Sequence, residues 1–168
     1  KFFKNMTQVS VININSPFLD QKPGTSGLRK STLQFQEEHY LEIFIEAILQ
    51  SLEDLQGSTL VVGGDGRYGN IEAIEKIVQI CVAHKVQKVI VPKFGLLSTP
   101  ATSHLIRKEK AIGGIILSAS HNPGGINGDF GVKLNISNGG PAPEIITNKI
   151  FKASQSLTNY KICKIQLP

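Results

Sequence analysis

Ile115-Ile116-Leu117-Ser118-Ala119-Ser120-His121-Asn122-Pro123-Gly124-Gly125 is the stretch from which the rest of the chain can be read. Three consecutive branched apolar residues read as a buried strand. Pro123 pushes Asn122 out of helical geometry, and the two glycines after it free the backbone to turn. A serine hydroxyl, an imidazole and a carboxamide thus sit on a tight turn at the mouth of a strand, where open α/β sheets place reacting groups. The same residue types also build ordinary loops, so Ser118 to Gly125 alone leaves both readings open.

Working outward, strand-like and helix-like patterns alternate. Val9 to Ile14 alternates as a half-exposed strand, and 21–30 reads as a loop because of Pro23, Gly24 and Gly27. Leu41, Ile45, Ile48, Leu52 and Leu55 predict a helix over about 38–55. Leu60-Val61-Val62 predicts a strand, with Asn70 placed to cap a following helix whose core stripe is Ile74, Ile77, Val78, Cys81 and Val82. Val89 to Val91 is a strand, and Thr99-Pro100 an N-cap and first-turn proline opening a helix to Ile106. Gly131 to Leu134 returns as a strand in a hairpin with 115–117. A last helix starts near Pro143 with Ile146, Ile150 and Leu157 on one face. The alternation predicts a three-layer α/β sandwich, its mixed, mostly parallel sheet lying between helices. All 168 residues form one unit without internal repeats.

Bulk properties exclude several classes. Hydrophobic residues make up 40% and charged residues 18%, which is the balance of a globular domain and not of a disordered chain. No apolar run approaches membrane-spanning length and no signal-peptide pattern opens the chain, so the expected location is the cytoplasm. Cys81 and Cys163 are far apart and read as ordinary reduced thiols. The net charge is +5, but no basic run exceeds two residues and tryptophan is absent, which argues against nucleic acid. The excess charge suits a phosphorylated small molecule.

Further segments carry candidate chemistry. In Gly24-Thr25-Ser26-Gly27-Leu28-Arg29, hydroxyls and a guanidinium offer donors to phosphate oxygens. In Gly63-Gly64-Asp65-Gly66-Arg67, the aspartate suits a structural role, and Arg67 either pairs with it or faces a phosphate. No Gly-Lys-Ser/Thr follows, so it is neither a phosphate-cradling P-loop nor, by spacing, a dinucleotide fingerprint. Lys133 lies in the strand before Asn135-Ile136-Ser137-Asn138-Gly139-Gly140-Pro141. His39, His84 and His104 have no motif around them and read as surface residues.

Ser118 to Gly125, Gly24 to Arg29 and Gly131 to Pro141 together resemble the α-D-phosphohexomutases, the family of phosphoglucomutases and phosphomannomutases. The resemblance implies that Ser120 carries a phosphoryl group and exchanges it with glucose 1-phosphate and glucose 6-phosphate through glucose 1,6-bisphosphate, which also serves as primer. It implies active-site roles for His121 and Lys133, and phosphate or substrate contacts for Thr25, Ser26, Arg29, Asn122 and Arg67. Adjacent residues of an extended segment point apart, so His121 is expected to serve the sugar or phosphate and not the serine. The family's Mg²⁺ would touch this chain only through the phosphoryl group of Ser120, because no Asp-Gly-Asp-x-Asp loop is present. The chain starts at Lys1, not Met, and resembles only the first of four family domains. It is therefore expected to be inactive alone, its partners being a hexose phosphate and the remaining domains. The alternatives are a non-catalytic scaffold of the parafusin or aciculin kind, and mannose or glucosamine phosphate specificity.

Overall fold

In a computed structural model of the chain, residues 8–165 are described; Lys1 and Pro168 lie outside them. The centre is a five-stranded sheet built from β2 (Leu28–Ser31), β3 (Thr59–Gly64), β4 (Lys88–Ile90), β5 (Gly113–Leu117) and β6 (Asp129–Ile136). Its order is β2-β6-β5-β3-β4. The sheet is mixed: β5-β3 and β3-β4 are parallel, while β2-β6 and β5-β6 are antiparallel. The expected hairpin is present, with Ile116 opposite Lys133.

β3 and β5 are buried along almost their whole length, as strands covered on both faces must be. Leu60, Val62, Ile115, Leu117, Val132 and Leu134 face a large core cluster with α2 (Tyr40–Gln50), α3 (Asn70–Ala83) and Ile150 of α5 (Glu144–Ser154). On the opposite face Val61 packs with Ile106 of α4 (Thr99–Lys108) and with Ala111. β1 (Val9–Asn13) leaves the main sheet and pairs antiparallel with β7 (Asn159–Cys163), forming a ribbon against α3.

Several boundaries differ from the sequence expectation. Residues 28–31 are an edge strand where the loop was expected to run to Lys30, and the short α1 (Thr32–Phe35) follows it. The first long helix ends at Gln50, although Leu52 and Leu55 still pack on the core. Asn70 is not a cap: Gly69 (φ 83°) is the N-cap residue, and Asn70 is the first helical residue, buried, with its amide directed to the Gly95 carbonyl at 3.5 Å. The left-handed turn that glycine tolerates brings the chain back from Arg67 into the helix. Ser98, not Thr99, caps α4, its Oγ accepting from the Ala101 amide at 3.3 Å. The last helix stops at Ser154, short of Leu157. His84 is not a surface residue: its ring is 13% exposed and lies 2.8 Å from the buried Glu46 carboxylate. His39 is partly buried against the Tyr160 hydroxyl at 3.0 Å, and His104 is exposed. Both cysteines are free and buried, and burial pushes the Cys81 thiol up to about 12.

Candidate active site

The carboxyl ends of β3 and β5 lie side by side, with Gly64 opposite Leu117. The Asp65 loop and the serine loop therefore leave the sheet together, and the Asp65 amide donates to the Leu117 carbonyl at 3.0 Å. Ala119 is buried and Ser120 exposed. The Asn122 amide closes a turn onto the Ala119 carbonyl at 3.1 Å. Within that turn Ser120 has φ 54°, a left-handed conformation that costs a non-glycine residue about 1–2 kcal/mol. The extended segment assumed in placing His121 is thus replaced by a turn, and the alternation argument no longer fixes where His121 points. His121 itself is exposed.

Arg29 reaches this serine from β2, across β6. Its Nη2 donates to Ser120 Oγ at 2.8 Å. The register places Arg29 directly opposite Gly131. A Cβ at Gly131 would lie 2.2 Å from the Ser118 carbonyl oxygen and 3.3 Å from Arg29 Cγ. The bare glycine is what lets the serine loop and the arginine stem close over the same strand. Arg29 has no carboxylate partner among the described residues.

Arg67 touches the same turn from the other side. Its Nη2 donates to the Ser120 carbonyl at 3.1 Å and its Nη1 to the Asp129 carbonyl at 2.7 Å. It also forms a bidentate ion pair with Asp65, at 2.8–3.1 Å. Asp65 in turn accepts from Ser118 Oγ at 2.9 Å, and Ser118 Oγ accepts the Ser120 amide at 3.0 Å. Burial alone would push the Asp65 carboxyl up, but the hydrogen bonds from Arg67 and Ser118 outweigh it and hold the group below the usual carboxylate range. Asn122 is tied to the loop's return, its Nδ2 donating to Asp129 Oδ2 at 2.9 Å.

The remaining candidates form the flank. Gly24 and Gly27 exchange backbone hydrogen bonds at 3.1 and 3.0 Å, which puts Thr25 and Ser26 at the tip of a tight, exposed turn. Gly27 (φ 85°) backs onto Lys133; a Cβ there would sit 2.7 Å from Lys133 Cα. Lys133 follows Gly131 by two positions on β6, so it shares the sheet face of Arg29. It makes no ion pair among the described residues. The geometry thus brings Arg29, Arg67 and Ser120 into hydrogen-bond contact, links Asn122 to them through Asp129, and sets Thr25 and Ser26 on a turn whose Gly27 backs onto Lys133. Sequence reading missed Ser118 and Asp129. For Ser118 a signal existed, since a hydroxyl two residues before a turn residue is positioned to accept its amide.

Mg²⁺ demands a near-octahedral oxygen set. Among the described residues no three His, Cys, Asp or Glu side chains converge. Asp65 is consumed by Arg67 and Ser118, and Asp129 Oδ2 by Asn122. Two guanidiniums flank Ser120 as well. The residues present do not by themselves fit a magnesium site.

Residues 20–161 match the phosphoglucomutase/phosphomannomutase alpha/beta/alpha domain I. The chain belongs to that family. It is 59% identical over 150 residues to a phosphoglucomutase of Aspergillus fumigatus, covering 89% of this chain and 27% of the relative. It is 55% identical over 159 residues to phosphoglucomutase-1 of Bos taurus, covering 92% and 28%. The crystal structure of the exocytosis-sensitive phosphoprotein parafusin of Paramecium, described as a phosphoglucomutase in its open form, superposes with TM-score 0.90 at 43% identity, covering 94% of this chain and 29% of that one. A Thermus thermophilus protein described as a phosphomannomutase gives TM-score 0.67 at 29% identity, covering 85% and 30%. The chain therefore spans little more than a quarter of the length of these relatives. No described helix is long and apolar enough to cross a membrane.

Proposed function

We propose that this chain is the N-terminal domain of a four-domain cytoplasmic phosphoglucomutase and carries its phosphoryl group on Ser120. The observation that supports this most directly is Ser120 itself, an exposed serine in left-handed backbone whose hydroxyl rests on an arginine with no carboxylate partner. A phosphoserine carries about −1.5 to −2 charges at neutral pH. Arg29 can turn its fork to two phosphoryl oxygens, and on this reading Lys133, Asn122, Thr25 and Ser26 are the further donors assigned to the phosphate. Phosphoryl transfer needs mainly alignment and charge compensation.

In the forward half-reaction a hydroxyl oxygen of the hexose phosphate attacks the phosphorus and the Ser120 Oγ–P bond breaks. The sugar hydroxyl loses its proton, a role toward the sugar assigned to His121, and Ser120 Oγ regains one from water, while Lys133 balances the charge. The bisphosphate formed turns over and returns its other phosphoryl group to Ser120. No step is routed through a metal, because this chain does not supply the set of ligands for one. The fragment alone is inactive on this reading. Relatives named phosphoglucomutase at 55–59% identity favour glucose over mannose or glucosamine phosphate.

The test is conversion of glucose 1-phosphate to glucose 6-phosphate by the full-length protein, with glucose 1,6-bisphosphate and Mg²⁺ present, beside Ser120→Ala. Turnover that is lost in the variant is the expected result. An inert full-length protein, primed and folded, overturns the reading and leaves the non-catalytic scaffold as the alternative.

A further inference from the structure

Arg67 stands beside Ser120 yet spends its donors on the protein. Of the five N–H groups of a guanidinium, the Nε hydrogen and both Nη2 hydrogens are directed to Asp65 and the Ser120 carbonyl, and one Nη1 hydrogen to the Asp129 carbonyl. A single Nη1 hydrogen is left. Its charge is compensated by Asp65, and its side chain is only 7% exposed. Arg29, by contrast, is exposed and offers its fork. The two arginines therefore cannot have the same task.

The Asp65 carboxylate is the hub of what remains. It holds Arg67, which holds the Ser120 carbonyl, and it holds the Ser118 hydroxyl, which holds the Ser120 amide. Both backbone polar groups of Ser120 are thus gripped from one carboxylate. A serine has to be gripped in this way, since left-handed backbone is disfavoured for it and persists only where its surroundings impose it.

We propose that Asp65, Ser118 and Arg67 form a positioning clamp that keeps Ser120 in its left-handed turn, aiming its Oγ at Arg29, so that Arg29 and not Arg67 takes the phosphoryl oxygens. The inference rests on the reading of Ser120 as the phosphoryl carrier. None of the three is a catalytic residue in this scheme. They act on the reaction only through the direction in which Ser120 presents its oxygen.

Ser118→Ala removes the middle link and leaves the Asp65–Arg67 pair intact. In the full-length protein it is expected to lower kcat about 10²-fold, the effect of misplacing a reacting atom by about an ångström. The KM for glucose 1-phosphate should stay within about threefold, since the clamp does not touch the sugar. Ser118→Thr keeps a hydroxyl at the same place and should restore most of kcat. Ser118→Cys, nearly the same size but a weaker hydrogen-bonding group, takes the place of the alanine variant if that does not fold. A crystal structure of the Ser118→Ala protein gives a readout independent of turnover: Ser120 should leave the left-handed region, or its Oγ should lose Arg29. Unchanged kcat, a rise in KM alone, or a variant crystal with Ser120 still left-handed on Arg29 overturns the clamp. If the wild type proves inert while the variant crystal loses the geometry, the clamp stands and the mutase reading falls.

Discussion

At the scale of single residues, the site turns on what Arg29 can reach and what Gly131 leaves out. Arg29→Ala removes the guanidinium that, among the described residues, is both at the serine hydroxyl and without a carboxylate partner. Losing a preorganised donor of this kind costs about 10²–10³ in kcat, so a loss of that size is expected in the full-length protein, measured by glucose 6-phosphate production. Arg29→Lys should recover only part of it, because an ammonium is a point charge without the planar fork. Gly131→Ala tests the opposite side of the same contact. Its methyl group would lie 2.2 Å from the Ser118 carbonyl, and an overpacked site of this kind destabilises by about 1–3 kcal/mol. Urea denaturation should show a lowered midpoint, and the mutase assay should fall with it. Ser120 and Arg29 were both legible in the sequence, through motifs that resemble a known family. Their hydrogen bond was not, because 91 positions separate them and only the β2-β6-β5 order brings them together. Ser118 went unread for a related reason: its role depends on a left-handed turn that no pattern of apolar residues announces.

At the scale of elements, the long amphipathic helices and the doubly buried strands were the legible part, since their periodicity is imposed by the core. The edge strand β2 was hidden by the Pro23, Gly24 and Gly27 that precede it and by its own exposed Arg29 and Ser31. β7 was hidden because it is short and its partner β1 lies at the other end of the chain. What fastens β7 is equally nonlocal. The Glu46 carboxylate on α2, 2% exposed, meets the His84 ring at 2.8 Å at the end of α3 and accepts the Lys161 amide at 3.2 Å on β7. Burial pushes this carboxyl up, while the hydrogen bonds from His84 and Gln50 together bring it below its ordinary value. A carboxyl depressed in the folded state adds stability above its unfolded pKa of 4.5 and loses it as pH falls through the lower folded value. Glu46→Gln should therefore lower stability at pH 7 by about 2 kcal/mol, through weakened hydrogen bonds to buried donors. It should also flatten the acid limb of a stability-against-pH curve below 4.5. A variant with an unchanged acid limb would show that Glu46 is not what makes the ribbon acid-sensitive.

At the scale of the whole molecule, the sheet changes character where the chemistry sits. On one side of β5 the neighbours run parallel, on the other antiparallel, and the serine loop leaves β5 at the boundary. Asp65 comes from the parallel half and Arg29 from the antiparallel half, so the site exists only when both are folded on one core. That core lies within the described residues, which argues that the 168-residue chain folds unaided. On the proposed reading, folding is not sufficient for turnover. Ser120 is exposed, and among the described residues no cluster of three His, Cys, Asp or Glu side chains stands near it. In-line transfer needs both the attacking and the leaving oxygen held, and on the proposed reading this chain holds only the Ser120 oxygen. The isolated chain should therefore show a cooperative thermal transition, yet neither convert glucose 1-phosphate nor gain a phosphoryl group from glucose 1,6-bisphosphate as followed by intact mass. Phosphorylation without turnover would mean that Arg29 and its neighbours suffice to load the serine, while the rest of the protein serves only to return the group. Turnover by the chain alone would mean that one sheet holds the entire mutase, and the four-domain reading would have to be abandoned.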